Sequence, residues 1–542
     1  MVKSKEKVVG SLAAIAVVVS LTAAAWPTQK PIYLVSDNAA VAINPIGTTG
    51  DILTGTVVRG IPDGMGAYDS ENGRGVTVLA VHEVAANDKT AALSETKDKP
   101  WGTSITKFNY SKTLNKFDAA EPLISSWNFW NYKTSTYTST PVGGEPTGAA
   151  AGYFGWAVQR FCSATYSPAG TFIYNGVGYE GGLLTTGEEV TDQSRGFAVD
   201  MTGAAYQLPR TGFASMENIM PALKKGPNTV ALISEDGSAT DSQLYMYLGK
   251  KQNTGTSVDK AGLTNGDLYV LNVPTAATDN IFRTTIAKST KTPTTFKKIE
   301  WNTDVASLHK ASRDNGTTFA RVEDGHWDPK NPNVFYFVTT ESNKDPIATA
   351  PNPATPDVTR DGGALWRLTF KDAQNPLEGS NLEMLLNGGE SIYMSKPDNI
   401  TVTDNGVVVI QEDPGGNAHV ARVIAYRISD GKLATLAKFD SQYFTTTGSQ
   451  FMTIDEEASG VIDVTSLLAK SGDKSTYLML NAQIHVKGGV TKVDPAVKGA
   501  LSAGRPDLKN LPSDSKKRLD MATIEGGQFY TMAISDWTKV FN

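Results

Sequence analysis

The sequence predicts an all-β fold, a six-bladed β-propeller with loop and short-helix insertions. Three observations point there. Short runs rich in Val, Ile, Tyr, Phe and Thr recur along most of the chain, the composition of pleated, half-buried strands. Turn-forming pairs punctuate them, among them Asp236-Gly237, Asn405-Gly406 and Asp430-Gly431, whose residues tolerate the backbone of tight hairpins. The chain has 542 residues, with 50 glycines and 26 prolines, more length than a single sandwich needs. Among sandwich, barrel and propeller, length favours the propeller. The units are irregular and have no clean repeat period, so blade boundaries stay open at this level.

The N-terminus comes first. Lys3, Lys5 and Lys7 precede an apolar run from Val8 to Leu21, followed by Ala23-Ala24-Ala25. These are the three parts of a secretory signal, with cleavage expected after Ala25. Left uncleaved, Val8 to Trp26 would be an N-terminal anchor, nearly long enough to span a bilayer. Residues 26–70, rich in Gly, Pro and small residues, are expected as an N-terminal extension, and 71–542 as a single propeller domain. Strand-like runs then follow, from "GVTVLAVHEV" through "NTVALISEDG", "NVFYFVTT" and "GALWRLTF" to "STYLMLNAQIHV". The aromatic- and Thr-rich segment 101–150 is expected as an insertion or long loop near an entrance. "PALKKG" and "VTSLLAKSG" are expected as short helical turns.

Composition narrows the function. Lys+Arg number 50 against 56 Asp+Glu, a net charge of -6. No broad basic surface is implied, so nucleic acid is not an expected partner. His82, His309, His326, His419 and His485 are dispersed, with no HExxH and no paired CxxC. Zinc sites of the common local kinds are therefore not expected. Cys162 is the sole cysteine. An exported free thiol is open to oxidation, unless something holds it.

Acidic residues recur beside Gly, Asn or Pro at strand ends. They are His82-Glu83, Glu188-Glu189, Glu217, Glu235-Asp236, Glu323-Asp324, Asp398, Glu412-Asp413 and Glu456-Glu457. Taken singly, each reads as a turn former or a cap. In a propeller, however, inner-strand ends converge on the central channel. Several carboxylates cannot share a small volume as anions without cations. Hard oxygen ligands suit Ca²⁺, Mg²⁺ or Fe³⁺. The same short motifs hold Arg195, Arg321 and His326. "DPGGNAH" is expected as a Gly-rich turn, since it follows a strand and opens no helix. Trp327 and Trp366 are expected in the core.

The order of "ENGRGVTVLAVHE", "TTGEE", "SMEN", "RVEDG", "KPDN" and "EEASG" resembles the PhoX family of exported bacterial alkaline phosphatases, over roughly residues 70 to 500. The resemblance implies a propeller with Fe³⁺ and Ca²⁺ in its channel and a cysteine thiolate bridging the irons. It implies Cys162 as that thiolate and Glu188, Glu189, Glu217, Glu323, Asp398 and Glu457 as metal ligands. It implies Arg321 as the phosphate-binding residue. His82-Glu83 matches the family's Asn-His-Glu, with Val81 in place of the Asn, and Cys162 sits in "FCSA" rather than the family's Asn-Cys-Ala-Gly-like context. The expected function is an exported metal-dependent phosphatase that hydrolyses phosphomonoesters. Its expected partner is a small phosphoester. The expected form is a monomer in the periplasm or outside the cell, meeting a membrane or the cell surface only through an uncleaved N-terminus. A catalytically inactive Ca²⁺-binding scaffold is the alternative, and a phytase-like or lactone-type esterase could use the same platform. The thiol separates them: a Ca²⁺-only site has no use for it, and iron does.

Overall fold

The computed structural model describes residues 31–70, 73, 75–85, 102–141, 158–238, 240–341, 351–352, 355–359, 362–415, 419–486 and 523–542. The expected signal segment 1–25 lies outside the described residues, as do residues 101 and 142–150 of the expected insertion. The regular structure of the described residues is mostly antiparallel strands.

Six strands line the centre. They are β1 (Pro62–Asp69), β2 (Phe161–Ser167), β3 (Met216–Pro221), β4 (Val322–Trp327), β5 (Pro397–Val402) and β6 (Glu456–Asp463). Each packs against the next in chain order, and β6 returns to β1, so the inner strands form a closed ring. Each also begins a sheet running outward from that ring. The strand paired to each is, in turn, Gly75–His82, Leu183–Glu188, Asn228–Glu235, Val334–Thr339, Val407–Glu412 and Thr476–Ile484. This is a propeller-like arrangement. The sheets of β3 and β4 join at their outer edges, where Thr292–Ile299 pairs with Ser380–Leu386. The hairpins at Asn405-Gly406 and Asp430-Gly431 form as the sequence predicts, with Gly406 and Gly431 at φ of 74° and 73°. Asp236-Gly237 instead opens a longer connection, from Glu235 to Leu244.

Two sequence expectations are corrected. Residues 26–70 are not an extension as far as they are described. Val41–Thr48 pairs with Gly526–Ile534 and Leu34–Val35 with Leu433–Phe439, while Pro62–Asp69 is itself an inner strand. The N-terminal segment thus supplies the outer strand of the last sheet, whose edge would otherwise be unpaired. Nor is 101–150 an insertion where described. Ser104–Ser111 and Lys116–Pro122 complete the sheet of β1, and Ser126–Asn131 runs parallel to Ala204–Gln207 in the sheet of β2. Its Phe108, Phe117 and Phe129 are buried. "PALKKG" opens with Pro221, the last residue of β3, while "VTSLLAKSG" holds the short helix Thr465–Leu468. The longest helix among the described residues, Val305–Asn315, is capped by Asp304, whose Oδ1 accepts from Ser307 N at 2.9 Å.

The apolar core lies between neighbouring sheets. One cluster packs Val407, Val423, Leu478 and Met532, and another packs Trp327, Phe337 and Trp366, so both tryptophans are core as expected. At the ring itself the strands approach too closely for side chains. A Cβ on Gly64 would lie 2.0 Å from Ala164 N, and one on Gly460 would lie 2.4 Å from Asp63 O. No helix among the described residues is long and apolar enough to cross a membrane.

The close approach of β1 and β2 is testable. Gly64→Ala should lower unfolding stability by about 2–3 kcal/mol, since backbone atoms cannot yield as a side chain can. Gly55→Ala should cost about 1 kcal/mol, because that site has a positive φ but open space. Denaturant titration of both variants measures the difference.

Candidate metal centre

The second residue of every inner strand carries a potential ligand. In order these are Asp63, Cys162, Glu217, Glu323, Asp398 and Glu457. The register is shared too. The first residue of each inner strand pairs with the last of its partner: Pro62 with His82, Phe161 with Glu188, Met216 with Glu235, Val322 with Thr339, Pro397 with Glu412 and Glu456 with Ile484. In all six strand pairs the pairing then breaks within or next to the opening residues. Such bulges re-aim side chains at a rim, and here they do so at one end of the ring.

A second tier follows directly after the partner strands: Glu83, Glu189, Asp236, Asp413 and His485. Strand alternation separates these from the residues just before them. Glu188 turns away from the centre, and Arg195 clasps it with Nε at 2.6 Å and Nη2 at 3.0 Å. Both side chains are at most 2% exposed. Glu188 also accepts from Gln159 N at 3.0 Å. Glu412 is held in the same way by Arg422, at 2.9 and 2.7 Å. His82 is buried between Gly60 O and Thr106 Oγ1, and burial lowers its pKa to about 3 despite the hydrogen bond to Gly60. In each of these dipeptides at the end of a partner strand it is the second residue that faces the channel.

The ligand-type atoms form linked groups. Those of Asp63, Glu83 and Cys162 lie within 4.8 Å of one another, as do those of Cys162, Glu189 and Glu217, and those of Glu217, Glu323 and Asp398. Cys162 and Glu217 each belong to two groups. Glu457 joins through Gln483, whose Nε2 donates to Glu457 Oε1 at 3.3 Å, Glu83 Oε2 at 2.9 Å and Asp63 Oδ2 at 3.2 Å. Of the residues implied by the resemblance, the structure brings together Cys162, Glu189, Glu217, Glu323, Asp398 and Glu457, and not Glu188. Asp63, Glu83, Asp413, Gln483 and His485 join them, and only Glu83 and Asp413 stood among the acidic strand ends noted in the sequence. Recurrence of an acid or thiol as the second residue of each inner strand is the signal that finds Asp63.

Positive charge comes chiefly from Arg160 and Arg321, with His485 and Lys396 near Asp413. Arg160 bridges Glu83 and Glu189. Arg321 grips Asp236 with two bonds of 2.7 Å and lies 3.4 Å from both Glu323 and Glu341. This does not balance the cluster. Burial, then Glu323 and Asp63, push the Glu217 carboxyl well above the usual range. Burial with Glu457 and Glu83 does the same to Asp63, and burial with Glu323 and Glu217 to Asp398. Asp413 is raised to about 7, by burial and then Glu457. Burial, then Asp63 and Glu217, raises the Cys162 thiol, which donates to Asp63 Oδ2 at 3.1 Å. His485 is raised because hydrogen bonds to Glu457 and Glu525 outweigh burial.

These residues fit cations. Both oxygens of Glu217 are buried without a hydrogen-bond partner, as is Asp398 Oδ1. Buried polar atoms are rarely left so. Carboxylate oxygens are hard donors, and the single thiol adds a soft one.

Comparison with known proteins agrees with this architecture. The family described as "Alkaline phosphatase PhoX" matches residues 203–466. Pseudomonas fluorescens PhoX in complex with vanadate, a transition state analogue, has a similar fold, with a TM-score of 0.56 at 12% identity over 93% of this chain and 97% of that one. The chain is therefore PhoX-like, and the resemblance of its motifs is matched by a resemblance of fold. A luciferin-regenerating enzyme is far more distant, with a TM-score of 0.29 at 10% identity over 88% of this chain and 91% of that one. No curated protein matches.

Two outcomes separate cluster from support. In metal-stripped protein, Glu217→Gln should stabilise the fold by about 2 kcal/mol near pH 8. Glu217 has a raised folded pKa, so the folded state binds its proton more tightly than the unfolded state does. The wild type therefore loses stability as pH rises from the ordinary carboxylate value through the folded pKa, and the variant's gain should fade toward about pH 5. Arg195→Ala should instead destabilise by about 3–5 kcal/mol, because Glu188 is left buried and unpaired. Thermal and denaturant melts across pH measure both.

Proposed function

We propose that this protein is an exported, metal-dependent phosphatase that hydrolyses phosphomonoesters, with an iron and calcium cluster at one end of a six-bladed propeller channel. The carrying observation is the ring of second-position ligands, in which the sole cysteine stands among carboxylates that lack counter-charge. The PhoX resemblance in motifs, family match and fold supports the same reading.

Cys162, Asp63, Glu83, Glu189, Glu217, Glu323, Asp398 and Glu457 would hold the ions. When bound, such ions supply the positive charge and Lewis acidity on which phosphoryl hydrolysis draws. The protein's own groups do the rest. Arg321 has a side chain 29% exposed, anchored by Asp236, and presents a planar fork suited to phosphate oxygens. Asp236 fixes that fork before substrate arrives, which is the preorganisation electrostatic catalysis needs. His485, bonded to Glu525 at 2.6 Å and 3.6 Å from Glu457, braces the last ligand. Gln483 ties Asp63, Glu83 and Glu457 into one orientation. The thiol weighs against a calcium-only scaffold, because calcium takes oxygen ligands.

Purified protein should contain iron and calcium and hydrolyse a chromogenic phosphomonoester. Cys162→Ser should lose iron and lower kcat/KM by about 100-fold or more, while Arg321→Ala should keep the metals and lose a similar factor. Elemental analysis and steady-state kinetics on the same preparations test this. Wild-type protein free of iron and inert toward phosphomonoesters would sink the proposal.

A further inference from the structure

A second group of ligand-type side chains meets outside the channel. His309 lies on the helix Val305–Asn315, Glu235 ends the strand Asn228–Glu235, and Asp192 sits in the turn after Glu189. One ligand-type atom from each lies within 4.8 Å of the others. His309 and Glu235 are 2% and 1% exposed, while Asp192 reaches the surface.

The imidazole has a fixed orientation. Its Nε2 faces the carbonyl oxygens of Phe213 at 3.0 Å and Asp192 at 3.3 Å. Carbonyls only accept, so Nε2 carries a proton and, in the neutral ring, Nδ1 is a lone pair. Nδ1 has no hydrogen-bond partner and lies 3.4 Å from Glu235 Oε1. The other Glu235 oxygen is already used: Oε2 accepts from Gln243 N at 2.9 Å and Tyr245 Oη at 3.1 Å. Nδ1 and Oε1 therefore face each other across a gap that a proton or a metal ion must bridge, with a second carboxylate beside them. Two such acceptors repel unless positive charge stands between them. Metal bonds of about 2.0–2.1 Å at tetrahedral angles place two ligand atoms about 3.4 Å apart, the separation seen between Nδ1 and Oε1.

We propose that His309 Nδ1, Glu235 Oε1 and the Asp192 carboxylate bind one divalent transition-metal ion of the zinc class, at a site separate from the channel cluster. Three protein ligands from nitrogen and oxygen suit that class, with water completing the shell on the Asp192 side. The supporting shell is in place, because the Nε2 proton and Glu235 Oε2 are both held by hydrogen bonds that orient the ligand atoms. The ion ties a turn, a strand and a helix together. Asp192 follows Glu189 by three residues and Glu235 directly precedes Asp236, so both segments it joins continue into the channel.

The test counts zinc on the full chain after chelation, reloading with Zn²⁺ and dialysis. Wild type, Asp192→Asn, His309→Gln and Cys162→Ser are compared, with circular dichroism verifying the fold. His309→Gln should carry one equivalent less than wild type. Asp192→Asn changes an exposed side chain and leaves the core intact; it should release that equivalent about tenfold more readily. Cys162→Ser should retain it whatever happens in the channel. Unchanged zinc binding in both Asp192→Asn and His309→Gln would overturn the site and leave His309 and Glu235 as a charged pair only. Loss of all zinc in Cys162→Ser would overturn it as well.

Discussion

The structure turns on one electrostatic constraint. Six inner strands enter a closed ring from the same end, and the second residue of each is an acid or a thiol. Arg160 and Arg321 are the arginines that face them. Charges taken out of water cost several kcal/mol each unless they are paired. A hydrophobic ring would be easier to close. Without further positive charge at the centre the acids are pushed toward their protonated forms, and Glu217, with both oxygens buried and unpartnered, marks where that pressure is greatest.

The backbone around the cluster carries strain consistent with this demand. Ile61, Arg160, Arg321 and Lys396 have φ of 50°, 42°, 60° and 45°, and each stands immediately before an inner strand. None is glycine, and each such conformation costs about 1–2 kcal/mol. The turn it makes serves the site. Backbone at Arg160 and Arg321 swings the guanidinium to the rim, where it meets the second-tier carboxylates Glu189 and Asp236. The bulges that follow aim Asp63, Cys162 and Glu323 inward. Packing of the sheets behind the ring holds these conformations, just as close-packed interiors hold strained residues at functional sites elsewhere.

Local chemistry was legible in the sequence and long-range closure was not. The strand runs and the acidic dipeptides at their ends are local features, and they marked one rim of the ring. Which member of a dipeptide faces inward is a matter of strand phase. Glu188 and Glu189 look equivalent in "TTGEE", but alternation gives the first to Arg195 and the second to the channel. Asp63 was hidden because "GIPDGMG" has the composition of a loop. Its glycines are there for contact between strands, as Gly64 against Ala164 demonstrates. The N-terminal strand Val41–Thr48 pairs with Gly526–Ile534 across nearly the whole chain, and no local pattern announces such a pairing.

The lone cysteine follows from the same constraint. Thiolate is the form that oxidises and that binds metal. At Cys162, burial and the neighbouring Asp63 and Glu217 raise the thiol pKa, so without cations it stays protonated and donates to Asp63. Its 6% exposure keeps oxidants and other thiols away. Cations bound at the cluster would remove the anionic repulsion and favour the thiolate. The thiolate would then form only where a metal occupies its lone pairs, so that the reactive form and the protected form would be the same state.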